Sequence, residues 1–521
     1  MKLKTTAILA ACGVFLSAAG AFAIPVGPSG TVTADPSATN AIKAAGGEGW
    51  ESGARITAGD TLLVDARLGH ASVSKSSSGE TYLFAQVTAS DATVSSSPSP
   101  IAPMNLAVVI DRSGSMKGER IANAMNAAVA ALERMRDGDS IAVVSFDTAA
   151  QVVVPPTRVS AGNRSAIESA IRSIRLGGDT CISCGLEEGM QQLALTSLGG
   201  DRINRMILLS DGATNAGVRD IGGLRSMAGR MFGRGVTIST IGVDVDFDEK
   251  IMAAIASEAN GRHYFVANAS GLPAVFGQEF DDLLASVAKE TELAIELAPG
   301  VEAVEVFDRS FRREGNKLIV PFGTFSSKQE KTVLVRLRVP TDRDGDQPVA
   351  DLKLAFRDLV KKTDGACNGS LAVAVKSDGS EQKDLDPFVA ARLERSRTAQ
   401  TLTEANKLFE AGRIGEARAK LAARKTDLDK SKSSALALAA AAPSAAPRRP
   451  ARALDRDFAD QAAAVEEAEQ HFAPAPVAAA RPASPGALGG GGFAQPPPAQ
   501  TSREGKAQVR ANQEKASSFG F

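Results

Sequence analysis

Histidine is scarce in this chain. Three occur among 521 residues: His70 in a polar loop region, His263 in Gly261-Arg262-His263-Tyr264-Phe265, and His471 far toward the end. None is spaced as a catalytic-triad member or a zinc-ligand pair, and Ser113 lies in no nucleophile-elbow pattern. The chain is therefore read as non-enzymatic. Charge of one sign is also missing, because 59 Lys and Arg stand against 60 Asp and Glu for a net charge of −1. That balance removes the basic surface that nucleic acid would require. The four cysteines are Cys12, Cys181, Cys184 and Cys367, too few beyond the leader for a zinc site. After the leader, no segment reaches the ~20 apolar residues of a membrane span, so a mature chain without a transmembrane segment is expected.

What is present concentrates between Asn105 and Ser115. An apolar strand, Leu106-Ala107-Val108-Val109-Ile110, runs into Asp111-Arg112-Ser113-Gly114-Ser115. That places one carboxylate and two hydroxyls on a tight loop at the C-terminal end of a buried strand, where open α/β sheets bind ligands. Three hard oxygens on one turn suit a Mg²⁺-class ion. Leu176-Gly177-Gly178-Asp179-Thr180 adds a hydroxyl on a glycine-rich loop, and Met206-Ile207-Leu208-Leu209-Ser210-Asp211-Gly212 adds a second carboxylate after a second buried strand.

In this order and strand context the pieces resemble a von Willebrand factor A domain with a complete metal-ion-dependent adhesion site. The resemblance puts the five ligand positions on Asp111, Ser113, Ser115, Thr180 and Asp211. It implies that the two serines bind the ion directly, Thr180 directly or through water, and the aspartates largely through water. Mg²⁺ prefers near-octahedral oxygen coordination, so a shell dominated by neutral hydroxyls leaves the ion poorly neutralised with a position open. A carboxylate presented by a protein partner can fill that position. Mn²⁺ and Ca²⁺ are the alternative ions.

The surrounding pattern predicts a doubly wound, Rossmann-like α/β fold over 105–288. Glu119 to Arg136 reads as an amphipathic helix, Ser140 to Phe146 as a strand and Val152 to Val154 as a short edge strand. Helices follow at Arg164 to Arg172, Gly185 to Leu195 and Ile221 to Phe232, with strands at Met206 to Leu209 and Val236 to Gly242. Asp248 to Ala259 reads as a helix, Arg262 to Val266 as a last strand and Leu272 to Ala288 as a closing helix. Strands alternating with helices at these lengths imply βαβ units and a mainly parallel sheet. Within Val243-Asp244-Val245-Asp246-Phe247-Asp248, where related proteins commonly carry Gly at position 244, a second cation site competes with a plainer reading. In the plainer one Asp248 caps the next helix and the other acids face solvent.

On both sides the hydrophobic period changes. Thr61 to Leu68 and Thr81 to Val87 alternate like half-buried strands. Leu293 to Leu297, Lys317 to Phe322, Thr332 to Val339, Leu352 to Phe356 and Ser370 to Val375 are short and bounded by turn residues. Two strands before Asn105 cannot bury their own apolar face. The flanks 24–104 and 289–378 are therefore expected to build one β-sandwich, with the central domain inserted in it. This arrangement resembles bacterial secreted proteins described as Ca-activated-chloride-channel-like or inter-α-trypsin-inhibitor-heavy-chain-like. The channel label carries no weight, since a pore needs spanning helices or a closed barrel. Asp342-Arg343-Asp344-Gly345-Asp346 lacks EF-hand spacing and the terminal Glu, and reads as a polar hairpin turn.

The ends add an address and a tail. Met1 to Lys4, Ala7 to Ala19 and Ala21-Phe22-Ala23 form the three regions of a secretory signal over 1–23, so export to the periplasm, the cell surface or the medium is expected. The alternative reads Leu9-Ala10-Ala11-Cys12 as a lipobox with a lipidated Cys12; against it, seven residues separate Lys4 from Cys12 and the apolar run continues well beyond. In an oxidising compartment Cys181 and Cys184 are a candidate local disulfide, with free thiols or a redox-active pair as alternatives. Residues 379–430 read as a helical hairpin joined at Gly412-Arg413. Residues 431–521 are rich in Ala, Pro and Gly and read as a largely disordered tail with a helix over 451–472. The functional reading is an exported binding protein whose Mg²⁺ site takes an acidic residue of a partner. The runner-up is an accessory or scaffold subunit of a cell-envelope assembly, docking through the C-terminal helices.

Overall fold

Alternation of apolar and polar residues marks a sheet with one wet face, and it governs the first strands of the computed structural model. The structure describes residues 55–472 and 502–520, apart from 76, 92–101, 197, 199, 212–213, 244–248, 267, 378–384 and 442–448. The signal segment 1–23, Cys12 and the acids Asp244, Asp246 and Asp248 thus lie outside the described residues. Strands β1 (Arg55–Gly59), β2 (Leu62–Leu68), β3 (Ser72–Ser74) and β4 (Glu80–Ala89) come first. Leu62, Val64, Ala66 and Leu68 of β2 are all buried.

The period then changes. β5 (Met104–Asp111) is buried at every position, which a strand covered on both faces by helices requires. There follow a 3₁₀ turn at Gly114–Met116, α1 (Glu119–Arg134), β6 (Ser140–Phe146), β7 (Ala150–Arg158), α2 (Arg164–Arg172) and α3 (Ile182–Leu195). Next are β8 (Ile203–Ser210), α4 (Ile221–Phe232), β9 (Val236–Val243), α5 (Glu249–Glu258), β10 (Asn260–Val266) and α6 (Leu272–Leu284). The six strands form one sheet in the order β10-β9-β8-β5-β6-β7. All neighbours are parallel except β6 and β7. The doubly wound fold is as expected. The edge strand β7 is longer than the three residues anticipated; Pro155 and Pro156 within it are tolerated because an edge strand can spare ladder hydrogen bonds.

The anticipated closing helix to Ala288 needs correction. It ends at Leu284, and β11 (Ser286–Leu297) begins at once, because Ser286 and Ala288 pair with Ser326 and Phe325. The domain boundary therefore falls near residue 285 rather than 288. β12 (Glu302–Phe307), β13 (Arg312–Glu314), β14 (Lys317–Ser326), β15 (Glu330–Arg338), β16 (Gly345–Asp358) and β17 (Thr363–Lys376) complete the strands. They join the opening strands in two sheets, β1-β2-β4-β15-β12 and β13-β14-β11-β16-β17-β3. β4 pairs with β15 in antiparallel register, Leu83 opposite Val335. One apolar core holds Leu62, Val64 and Val87 with Leu293, Ile295, Leu352 and Leu354. The sandwich assembled from both flanks is thus present. The acidic stretch Asp342 to Asp346 forms the turn from β15 into β16, with Asp344 bound by Lys75 at 3.1 Å.

Among the described residues four helices follow: α7 (Pro387–Glu410), α8 (Ile414–Ala441), α9 (Arg449–His471) and α10 (Arg503–Gly520). The hairpin turns at Gly412, whose φ of +76° favours glycine. The tail assignment is corrected in two places. α8 runs past 430 through an alanine-rich stretch of high helix propensity, and residues 503–520, assigned to a largely disordered tail, are helical. The C-terminal helices find partners that composition does not reveal. Within the unit that holds the doubly wound domain, Phe409 stacks on Phe472 at 4.1 Å. Asn406 Nδ2 donates to the Val509 carbonyl at 3.0 Å, and Arg510 of α10 pairs with Glu249 of α5.

Candidate metal site

The strand order reverses between β5 and β8, and open α/β sheets bind ligands beyond the C-terminal ends of the strands at such a point. Asp111 is the last residue of β5, and Asp211 follows Ser210, the last of β8. Both side chains are buried, at 0% and 2% relative exposure. Asp111 accepts from the Ser113 backbone N–H at 2.8 Å and from the Ser210 hydroxyl at 2.5 Å. Ser113 Oγ and Ser115 Oγ lie 3.0 Å apart, and Ser115 Oγ donates to Asp211 Oδ1 at 2.7 Å. Arg120, in the first turn of α1, donates Nη1 to Asp211 Oδ2 at 2.7 Å and to the Ser115 carbonyl at 2.8 Å.

The Thr180 loop is tied to both of the others. Gly177 N donates to Arg112 O at 2.7 Å, and Gly114 N to Gly178 O at 3.1 Å. Thr180 N donates to Asn215 Oδ1 at 2.7 Å, while its carbonyl accepts from Asn215 N and Ala216 N at 3.0 and 3.2 Å and from Thr214 Oγ1 at 3.1 Å. Glycine makes the approach possible: a Cβ on Gly177 would stand 1.7 Å from Asp147 Oδ2. One turn further, a Cβ on Gly185 would stand 2.7 Å from the Phe146 ring, so α3 lies pressed onto the sheet directly after Thr180. Cys181 caps that helix and is joined to Cys184 by a disulfide with a Cα–Cα separation of 5.3 Å. Cys367, buried in the sandwich core, is not part of a disulfide.

The donor chemistry can be tested against a divalent cation. Burial pushes the Asp111 carboxyl up to about 6; the hydroxyls of Ser210 and Ser113 and the Ser113 N–H oppose the rise, and neighbouring Asp211 adds to it. Asp111 is held by the neutral Ser113 N–H and the Ser210 hydroxyl, and Asp211 by the Arg120 guanidinium. Two buried carboxylates thus lie beside a cluster of hydroxyls, and all of these groups offer hard oxygens. The residues fit an ion of the Mg²⁺ class. Among the described residues no cluster of three or more His, Cys, Asp or Glu is present, so hydroxyls distinguish this constellation.

All five residues singled out from the sequence lie on three mutually bonded loops. Sequence reasoning missed Ser210, Arg120 and Asn215. Ser210 was within reach, since it precedes Asp211 in the same strand, but nothing in spacing marks Arg120 or Asn215, which meet the site only through the fold. His263 is elsewhere, on β10, with Nδ1 2.9 Å from Thr240 Oγ1, and His70 Nδ1 sits 3.1 Å from Thr81 Oγ1.

Comparison with known proteins agrees with this fold. Residues 105–278 match the family model described as the von Willebrand factor type A domain. The uncharacterized protein sll0103 of Synechocystis is 26% identical over 339 residues, spanning 62% of this chain and 78% of its own length. The uncharacterized protein YfbK of Escherichia coli is 32% identical over 197 residues, spanning 37% of this chain and 34% of its own. Among solved structures, a von Willebrand factor type A protein from Catenulispora acidiphila superposes with a TM-score of 0.60 at 17% identity, covering 72% of this chain and 88% of that one. That likeness speaks to the fold alone.

Proposed function

We propose, from the premise that residues 105–278 are a von Willebrand factor type A domain, that this chain is an exported, non-enzymatic binding protein. In this reading it holds a divalent cation among Asp111, Ser113, Ser115, Thr180 and Asp211 and captures an acidic residue of a protein partner. Domains of this family generally serve as interaction modules and commonly bind divalent metal. The observation that carries the reading is the placement of two buried carboxylates and a pair of hydroxyls 3.0 Å apart at the strand-order reversal. When bound, the ion supplies a positively charged coordination position open to a carboxylate. Ser113, Ser115 and Thr180 contribute neutral oxygens, and Asp111 and Asp211 orient water and balance charge. Ser210 and the Ser113 N–H fix the Asp111 carboxylate, and Arg120 holds Asp211. Export rests on the signal pattern of residues 1–23 and accords with the Cys181–Cys184 disulfide. The lipidated Cys12 stays its alternative.

The scaffold reading draws less support. The helices that would dock spend apolar side chains on their own unit, with Leu402, Phe409, Leu421, Val465 and Phe472 buried. Because α10 also bonds to α5 through Arg510 and Glu249, removing the C-terminal helices would disturb the domain itself. The discriminating experiment is therefore a point substitution. Full-length protein and its Asp111→Ala variant are titrated with Mn²⁺ by calorimetry, and capture from envelope extract is compared in Mg²⁺ and in chelator. Saturable binding and cation-dependent capture, both lost in Asp111→Ala with circular dichroism unchanged, are expected. Capture indifferent to chelator refutes the reading.

A further inference from the structure

The Cys181–Cys184 disulfide occupies a position that stability alone does not explain. It closes a loop of sequence separation 3, and loop-closure entropy constrains the unfolded chain least when the loop is short. Its two sulfurs are unequally placed. Cys181 is buried, at 1% exposure, while Cys184 is only half-buried. Cys181 Sγ caps α3, accepting the Cys184 N–H at 3.3 Å, and lies 3.5 Å from Ser183 Oγ. Ser183 Oγ in turn accepts the Val218 N–H at 3.0 Å. The segment after Asp211 is packed onto the same sulfur, since a Cβ on Gly217 would stand 2.5 Å from Cys181 Sγ. Cys181 N donates to the Asp147 carbonyl at 2.8 Å, one residue from Thr180. The disulfide is thus a junction of the loops that carry Thr180 and Asp211.

We propose that Cys181–Cys184 is a thiol–disulfide exchange site that reacts with a dithiol reductant, and that its opening loosens the Thr180 loop and weakens cation binding. The first half stands on the cysteine geometry; the second rests on the metal reading given above. A thiolate of the dithiol attacks the reachable Cys184 Sγ in line with the bond. The Cys181–Cys184 bond breaks and its electron pair goes to Cys181 Sγ, where the first-turn N–H of α3 receives the charge before a proton arrives. The second thiol of the reductant then attacks the mixed disulfide, releasing Cys184 as a thiol and the reductant as its own disulfide. Two electrons and two protons pass from the dithiol to the cysteine pair. The bond that held the first turn of α3 to the cap residue is then gone, and Thr180, immediately before it, loses a fixed neighbour.

Full-length protein is equilibrated in dithiothreitol buffers of graded ratio, quenched with an alkylating reagent and read by mass spectrometry, with Mn²⁺ affinity measured on the same samples. Cys181 and Cys184 are expected to become labelled together in the folded protein, with Cys367 spared, and to re-form the bond when oxidised dithiothreitol is restored. Mn²⁺ binding is expected to weaken by roughly tenfold, the lower end of what loss of a supporting contact costs a metal site. A Cys181→Ser, Cys184→Ser double variant with native circular dichroism should match the reduced protein. Labelling that occurs only after urea overturns the exchange site. Reduction with unchanged Mn²⁺ affinity overturns the coupling. Should the oxidised protein bind no Mn²⁺, the metal reading fails and the coupling with it, while the labelling still decides the exchange.

Discussion

Replacing Glu279 should destabilise the doubly wound domain while leaving the candidate site's own residues in place. Glu279 lies on α6 and is fully buried, and its carboxylate accepts from Arg205 Nη2 at 2.8 Å, Ser239 Oγ at 2.6 Å and Tyr264 Oη at 2.7 Å. These partners sit on β8, β9 and β10, so one carboxylate ties a helix to three strands. Arg205 is itself 9% exposed, and removing one member of a buried ion pair typically costs about 3–5 kcal/mol because the other charge is left uncompensated. Glu279→Ala is therefore expected to lose that amount, a large part of the roughly 5–15 kcal/mol that holds a domain. Native-state hydrogen exchange of β8 and β9 amides reads it apart from the sandwich. Burial works against the charge, but Arg205 and the two hydroxyls together hold the Glu279 carboxyl below its ordinary value of 4.5. Its contribution is therefore complete above about pH 4.5 and lost as pH falls through the depressed folded value. Glu279→Gln should remove that acid limb. Arg205 precedes Asp211 by six positions on the chain, ~20 Å along an extended strand, so Mn²⁺ affinity per folded molecule should be unchanged. A loss below about 1 kcal/mol in Glu279→Ala, the size of a single ordinary hydrogen bond, would refute the argument.

Asp211→Ala should abolish Mn²⁺ binding as Asp111→Ala does, whereas Ser113→Ala and Ser115→Ala should weaken it by removing direct oxygens, all read by calorimetry with circular dichroism unchanged. Arg120→Ala should tighten Mn²⁺ binding, because its guanidinium competes for Asp211 Oδ2 at 2.7 Å; weaker binding would show that Arg120 supports the loaded site instead. His263 is held down to about 4 by burial, with Arg510 adding to the effect. The unfolded chain therefore takes up a proton that the folded chain refuses, and stability should fall as pH drops from about 6.5 toward 4. His263→Gln should flatten that slope in urea titrations across the same pH range.

The central fold was legible because its signal is repeated. β5, β6, β8 and β9 are each buried at every position, so unbroken apolar runs followed by helical periods leave few other arrangements. The sandwich was legible by deficit, since the opening strands had too little partner surface. Errors arose where long-range pairing overrides local pattern. Val287-Ala288 continues a helical rhythm, yet Ala288 finds Phe325 and Asp358 across two neighbouring strands. The last helix, Arg503–Gly520, escaped notice for a related reason. Composition describes how little apolar surface a segment offers, not whether a few residues such as Val509 and Phe519 meet a prepared partner.

The candidate site was half legible, and the division has a chemical cause. Asp111, Ser113, Ser115, Thr180 and Asp211 stand out because donor atoms must recur at fixed distances from strand ends. Ser210, Arg120 and Asn215 act on those donors instead: Ser210 orients Asp111, Arg120 balances Asp211 and Asn215 fixes the Thr180 backbone. Their positions depend on which loops the fold brings together, and such neighbours of the donor groups are set by space rather than by spacing. The same dependence separates folding from binding. Asp111 closes a strand whose Leu106, Val108, Val109 and Ile110 are wholly buried, so apolar packing holds the strand in place whatever the carboxylate does. Loss of a ligand should therefore cost affinity and leave the sheet intact, unlike a small zinc domain whose fold is its metal site.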